Sequence, residues 1–107
     1  MKVKENIRCI ILDDQKFAIK ILEGYLLHFR TFSIDYAGTD VYEALRIIES
    51  SKIDLVFLDI QMPDMNGLQF LKLCRDKCKF IFTTAYSKYA IEGYEHDVVD
   101  FLLKPIT

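Results

Sequence analysis

Short apolar runs alternate with segments of helical periodicity along this 107-residue chain, and this alternation limits the folds open to it. The apolar runs predict five strands, at 7–12, 32–37, 55–58, 80–83 and 98–103. Apolar residues at helical spacing predict four helices, over Phe17–Phe29, Val41–Ile48, Leu68–Cys74 and Ser87–Tyr94. Strands that alternate with helices form right-handed βαβ units. The predicted fold class is therefore α/β, with a five-stranded parallel sheet and helices on both faces.

The composition narrows the function classes. A length of 107 residues suits a single domain, and the 51% hydrophobic content suits a folded core. The net charge of −2 argues against direct nucleic-acid binding. No apolar run approaches the roughly 20 residues that span a bilayer, and no signal peptide is evident. An odd number of cysteines (Cys9, Cys74 and Cys78) favours reduced thiols in a cytoplasmic protein.

Polar residues follow the carboxyl ends of four of the predicted strands. They are Asp13 and Asp14 after the first strand, Asp59 after the third, Thr83 and Thr84 at the end of the fourth, and Lys104 after the fifth. In an open parallel sheet, ligands bind beyond the carboxyl ends of the strands. We therefore expect these side chains to share one pocket.

Three carboxylates in one pocket repel one another, since two unit charges about 4 Å apart cost on the order of 4 kcal/mol at an effective dielectric constant of 20. A hard divalent cation offsets this repulsion, and an all-oxygen ligand set selects Mg²⁺ or a similar ion. Water and a phosphoryl group can complete its coordination. A carboxylate can itself be the nucleophile in phosphoryl transfer. Asp59, which stands alone after an apolar strand, is the best candidate for that role.

Each of these residues also has a simpler interpretation when it is taken alone. Asp13 and Asp14 can cap a helix, and Asp14 is the expected N-cap of the first one. Asp59 can be a turn residue, Thr84 a surface hydroxyl and Lys104 a solvated lysine. The functional interpretation depends on the joint placement of all of them.

The chain resembles the receiver domains of two-component response regulators over nearly its whole length. Four stretches carry this resemblance. The stretches are Asp13-Asp14, Phe57–Gly67, Thr83–Tyr86 and Phe101–Pro105. The segments Phe82–Ala90 and Asp100–Pro105 most resemble the LytTR (LytR/AlgR-type) branch. The resemblance implies one receiver domain over residues 1–107, with the flavodoxin-like strand order 2-1-3-4-5. The last helix of that fold is expected to be missing, since the chain ends at Thr107.

The resemblance assigns a role to each matching residue. Asp59 matches the phosphoacceptor. Asp13 and Asp14 match the acidic pair that holds Mg²⁺ together with Asp59, and Gln61 is expected to add its backbone carbonyl. This set implies Mg²⁺ as the cofactor.

Three further matches imply how the signal spreads. Thr84 and Lys104 match the hydroxyl and the lysine that act on the phosphoryl group. Phe101 matches the switch aromatic, where many family members carry tyrosine. Because phenylalanine lacks the hydroxyl, a rotamer switch at this position must act through packing alone.

The resemblance also implies a function and partners. A sensor histidine kinase is expected to phosphorylate Asp59, which changes the surface of the fourth strand, fourth helix and fifth strand. That surface is expected to form a homodimer and to control an output domain, a DNA-binding LytTR domain that regulates transcription. The chain itself is expected to be a self-phosphorylating switch and not a turnover enzyme.

Three alternatives share parts of this pattern. A flavodoxin-like FMN binder needs a hydroxyl- and glycine-rich loop where this chain has Asp13-Asp14-Gln15. A haloacid-dehalogenase-type phosphatase also uses an aspartate nucleophile, but its two acids are separated by one residue. The third alternative is a pseudo-receiver that acts as a dimerisation module without phosphorylation.

Overall fold

The computed structural model describes residues 6–62, 65–84 and 100–103, with the main chain alone at residues 84 and 100–103. The elements in this part of the chain are β1 (Ile7–Leu12), α1 (Lys16–Leu26), β2 (Phe32–Gly38), α2 (Val41–Ser50), β3 (Leu55–Asp59), α3 (Gly67–Cys74), β4 (Lys79–Thr84) and β5 (Asp100–Leu103). The helix predicted over residues 87–94 and the predicted strand residues 98–99 lie outside the described residues.

The strands form one parallel sheet in the order β2-β1-β3-β4-β5. The predicted fold class, an α/β protein with a parallel sheet, is confirmed. β1 lies between β2 and β3, and β3 lies between β1 and β4. Helices cover both faces of the inner strands, which explains why β1 and β3 are almost continuously apolar.

Two hydrophobic clusters pack on opposite faces of the sheet. Because side chains alternate along a strand, Ile10 and Leu12 of β1 join one cluster and Cys9 and Ile11 join the other. The first cluster packs β1, β3 and β4 against α2 and α3, and the second packs β1 and β3 against α1. The inner strands of the sheet are thereby packed on both faces.

The start of α1 corrects one prediction. The N-cap is Gln15 and not Asp14, and the Gln15 side chain makes no cap hydrogen bond. The reason is local: the Asp13 carboxylate accepts a hydrogen bond from the Gln15 backbone N–H at 2.9 Å, and this turn delays the helix. The predicted helix over Phe17–Phe29 is also too long at its end, since α1 stops at Leu26 and Phe29 lies beyond it. Phe17, Tyr25 and Phe29 are exposed, although their helical spacing grouped them with the apolar face.

The other two helices begin with side-chain caps. Asp40 accepts hydrogen bonds from the first turn of α2, and Asn66 forms a capping box with Gln69 at the start of α3. The second strand, predicted over 32–37, extends one residue further to Gly38, which pairs with Leu12. Among the described residues, no helix combines the length and apolar character that a membrane crossing requires.

Candidate metal centre

Three acidic side chains meet at the carboxyl edge of the sheet. Asp13, Asp14 and Asp59 each offer a carboxylate oxygen, and these oxygens lie within 4.8 Å of one another. Asp13 is 3% exposed and Asp59 is 4% exposed, whereas Asp14 is open to solvent. The predicted convergence of the three acids is therefore present in the structure.

The sheet register positions the first and last members of this trio. Leu12 pairs with Leu58, so Asp13 and Asp59, which follow them, lie side by side at the edge of the sheet. The Asp13 N–H donates to the Gly38 carbonyl at 3.2 Å, which ties the end of β1 to the end of β2. The Asp13 carboxylate accepts the hydrogen bond from the Gln15 N–H at the start of α1, so both the main chain and the side chain of Asp13 are fixed.

Two backbone contacts hold the loop after β3. The Gln61 N–H donates to the Asp59 carboxylate at 3.3 Å, and the Gly67 N–H donates to the Ile60 carbonyl at 2.7 Å. A Cβ atom on Gly67 would lie 2.3 Å from the Asp59 carbonyl oxygen and 2.7 Å from the Ile60 Cα. Only glycine allows α3 to begin this close to the candidate phosphoacceptor.

Gly67 is a site residue whose contact with Asp59 the sequence did not predict. In the sequence, Gly67 ends a stretch rich in turn residues. The pattern that could have drawn attention to it is Asn66 directly followed by Gly67 at the start of a helical segment. That pattern indicates a helix start but not which backbone the helix start touches. The contact depends on the sheet, which brings α3 back against the end of β3.

The donor set of the trio fits a hard divalent cation. At 4.8 Å, two unit charges repel by about 3 kcal/mol at an effective dielectric constant of 20. Three carboxylates supply only oxygen, the ligand atom that Mg²⁺ prefers, and they leave coordination positions for water or a phosphoryl group. The exposure of Asp14 leaves the centre open on one side.

The strand β4, which ends with Thr83 and Thr84, finishes beside this candidate metal centre. Thr83 pairs in register with Asp59 and is buried, and the main chain of Thr84 pairs with Leu103. Lys104 lies outside the described residues, as do the side chains of Thr84 and Phe101. The main chain at Phe101 pairs with Phe82. The roles of Thr84, Lys104 and Phe101 therefore stay predictions.

Residues 9–107 match the family model described as the response regulator receiver domain. The chain belongs to this family. Curated relatives include the sensory transduction protein LytT of Bacillus cereus, 36% identical over 104 residues that cover 92% of this chain and 42% of LytT. The transcriptional regulatory protein BtsR of Escherichia coli is 31% identical over 94% of this chain and 43% of BtsR.

A solved structure supports the same relationship. The response regulator TrrA of Thermotoga maritima, solved in complex with Mg²⁺-BeF, is 30% identical with a TM-score of 0.78, over 94% of this chain and 89% of that one. The predicted resemblance to receiver domains is thus confirmed, and the FMN-binder and dehalogenase-type alternatives are set aside. The chain spans less than half the length of the curated relatives described above.

Proposed function

We propose that this chain is the phosphoacceptor switch of a response regulator and that Asp59 accepts the phosphoryl group. The receiver family works in phosphorylation-based two-component signalling. The observation that carries the assignment to Asp59 is its place in the trio: it is buried at the end of β3, with two further carboxylates within 4.8 Å. In this arrangement the Asp59 carboxylate lies next to the proposed cation site.

The three acids share one task in this proposal, and Asp59 has a second. Asp13, Asp14 and Asp59 would hold Mg²⁺ with the Gln61 backbone carbonyl, and the ion would neutralise charge at the phosphoryl oxygens. An Asp59 oxygen attacks the phosphorus, the bond from phosphorus to the donor breaks, and an acyl phosphate forms. The N–H of Gln61 orients the Asp59 carboxylate for this attack, and the buried setting limits access of water to the product.

The response to phosphorylation is proposed to travel through β4 and β5. A phosphoryl group adds negative charge and strong acceptor oxygens beside the Thr84 backbone position. Thr84 and Lys104 then bind the phosphoryl oxygens, and Phe101 repacks into the space that Thr84 leaves. The changed surface of β4, the following helix and β5 is proposed to form a homodimer interface.

The donor and the output of this switch are proposed from the relatives. A sensor histidine kinase supplies the phosphoryl group from a phosphohistidine. LytT and BtsR carry regulatory names, so we propose a regulator of the LytTR branch in which residues 1–107 form the receiver domain and a further domain binds DNA. We place this switch in the cytoplasm, in keeping with the three free cysteines.

The test is phosphorylation of the purified chain by a small acyl phosphate in the presence of Mg²⁺. Intact-protein mass is expected to rise by one phosphoryl group, and the gain is expected to disappear with a chelator or in Asp59→Asn. Asp76→Asn, an exposed acid at the opposite edge of the sheet, serves as the matched control and should be phosphorylated like the wild type.

One result favours the pseudo-receiver in place of this proposal. If the chain is folded by circular dichroism, dimerises and gains no phosphoryl group, then the acidic trio serves structure alone. A phosphoryl gain that persists in Asp59→Asn would move the acceptor to another residue and contradict the assignment of Asp59.

A further inference from the structure

The end of β2 carries a tyrosine whose side chain folds back over the turn that follows. Tyr36 is partly buried and packs against the first hydrophobic cluster, on the face of the sheet that α2 and α3 cover. Its hydroxyl accepts a hydrogen bond from the Asp40 N–H at 3.0 Å. A Cβ atom on Gly38 would lie 2.5 Å from this hydroxyl oxygen and 2.8 Å from Cζ of the ring. The Tyr36 side chain therefore lies directly on Gly38 and closes the turn between β2 and α2.

An irregularity in β2 directs Tyr36 to this face of the sheet. Ile34 pairs with Cys9 of β1. The register then shifts by one residue, and Tyr36 pairs with Ile10. Ile34 and Tyr36 are two residues apart, yet they pack on opposite faces, because Asp35 is the extra residue between them. In a regular strand both side chains would point towards α1.

The turn closed by Tyr36 reaches the metal centre through the main chain. The Gly38 carbonyl accepts the hydrogen bond from the Asp13 N–H at 3.2 Å, and Gly38 pairs with Leu12. Asp13 is buried and belongs to the acidic trio. The Tyr36 side chain therefore contacts the residue that binds the main chain of a candidate metal ligand.

The Tyr36 hydroxyl also completes the N-terminal cap of α2. The Asp40 carboxylate accepts from the N–H groups of Tyr42 and Glu43. In a capping box, the glutamate at the third helical position would accept in return from the N–H of the cap residue. Here that glutamate, Glu43, pairs with Arg46, and the Asp40 N–H donates to Tyr36. Removal of the hydroxyl leaves this N–H to water and loosens the turn.

We propose that Tyr36 is a positioning residue for the Mg²⁺ centre, an inference that rests on the proposed function. Its ring and hydroxyl hold the turn so that the Gly38 carbonyl stays aligned with the Asp13 N–H. Asp13 is then ordered before a cation binds, and less conformational freedom is lost on binding. Groups that orient a metal ligand contribute to metal affinity although they do not touch the ion.

Tyr36→Phe tests the hydroxyl alone, since it keeps a ring over Gly38. In a calorimetric titration of the full chain, Mg²⁺ affinity is expected to fall about threefold to tenfold, the range that loss of one hydrogen bond covers. In the metal-free protein, the Asp13 amide hydrogen is expected to exchange faster with solvent. Tyr42→Phe makes the same change on a tyrosine of α2 that is 65% exposed, and both quantities should stay at the wild-type value in this control.

Gly38→Ala breaks the same contact while the hydroxyl stays in place. Alanine can adopt the strand backbone at this position, but its methyl group would displace the Tyr36 ring. Mg²⁺ affinity should fall as in Tyr36→Phe. The double variant should bind no more weakly than Gly38→Ala alone, because both substitutions remove one shared contact.

The outcomes separate this inference from the proposed function. Unchanged Mg²⁺ affinity in Tyr36→Phe, or losses that add up in the double variant, would overturn the positioning role and leave Asp59 as the proposed phosphoacceptor. A lower free energy of unfolding with unchanged affinity would assign Tyr36 a purely structural role, which also overturns it. A wild type that binds no Mg²⁺ would overturn the proposed cation site together with this inference.

Discussion

Gly67 shows how one residue without a side chain supports the metal centre. Its Cα faces the Asp59 carbonyl and the Ile60 Cα, both backbone atoms that cannot rotate away. For Gly67→Ala we expect a loss of about 1–3 kcal/mol in the free energy of unfolding, because the added methyl group forces α3 away from β3. Urea denaturation measures the change, and Mg²⁺ affinity should fall with it because Asp59 moves.

Gly24 is the matched control for that substitution. It lies within α1, and a Cβ there would have no atom within 4 Å. Gly24→Ala should therefore stabilise the protein by about 0.5–1 kcal/mol, as expected for an exposed helical glycine. If both substitutions had the same effect, the proposed close contact at Gly67 would be wrong.

The buried thiol of Cys9 is expected to make the folded protein less stable at alkaline pH. Its thiol ionises near the ordinary pKa of 9.0 in the unfolded chain but at about 11 in the folded protein. Below pH 9 the Cys9 thiol is protonated in both the folded and the unfolded protein, so its ionisation does not affect stability. Between pH 9 and 11 only the unfolded protein releases this proton, so the free energy of unfolding falls by on the order of 2 kcal/mol. Urea midpoints measured from pH 8 to 11 should fall less steeply for Cys9→Val. An unchanged slope in that variant would contradict this account.

At the scale of elements, the apolar pattern predicted the strands well but the helix starts less well. The strand residues of β1 match the prediction because a strand buried on both faces reads as an uninterrupted apolar run. Asp14 failed as the cap of α1 because the competing carboxylate of Asp13, one residue earlier, captures the Gln15 N–H. Two adjacent aspartates look alike in the sequence, which does not reveal the hydrogen bond from the Asp13 N–H to the Gly38 carbonyl of the neighbouring strand.

Asp54 joins three strands at the amino edge of the sheet. Its carboxylate accepts from the Arg8 N–H at 2.9 Å, its own N–H donates to the Arg8 carbonyl, and its carbonyl accepts from the Lys79 N–H at 2.9 Å. Asp54→Ala removes the charged acceptor and is expected to cost about 1–2 kcal/mol in the free energy of unfolding.

Asp35→Ala is the control for the expected loss of stability in Asp54→Ala. Asp35 pairs with the Arg8 side chain at a partly exposed position, where an ion pair contributes about 0–1 kcal/mol. Chemical denaturation should therefore rank Asp54→Ala as the more destabilising of the two. The reverse order would mean that the ion pair, and not the hydrogen bond from the Arg8 N–H to the Asp54 carboxylate, holds the amino end of β1.

At the scale of the whole molecule, the meeting of the three acidic side chains was predictable because it depends on topology. Once the strands are parallel, acids that follow β1 and β3 must meet at one edge, whatever the details of packing. The contact of Gly67 with Asp59 and the burial of Thr83 opposite Asp59 were not predictable. Both depend on the distance between elements that are far apart in the sequence.

Repulsion among the carboxylates of Asp13, Asp14 and Asp59 is expected to lower the stability of the metal-free protein. Asp13→Asn keeps an oxygen that can accept from Gln15 but removes one buried charge, so the metal-free protein should become about 1–3 kcal/mol more stable. Added Mg²⁺ should stabilise the wild type against thermal unfolding, by about 2.7 kcal/mol at a hundred times its Kd, and should have little effect on the variant. A wild type whose melting temperature ignores Mg²⁺ would contradict this prediction.

A Mg²⁺ titration followed by ¹H–¹⁵N NMR is the decisive test of the proposed cation site. We expect saturable binding of one ion, with the largest shifts at the amides of Asp13, Asp14, Asp59 and Gln61, and loss of these shifts in Asp13→Asn. The exposed acid Asp76 should show no comparable change. Absence of saturable binding, or shifts concentrated at another acidic site, would contradict the existence of a shared cation centre at the carboxyl edge of the sheet.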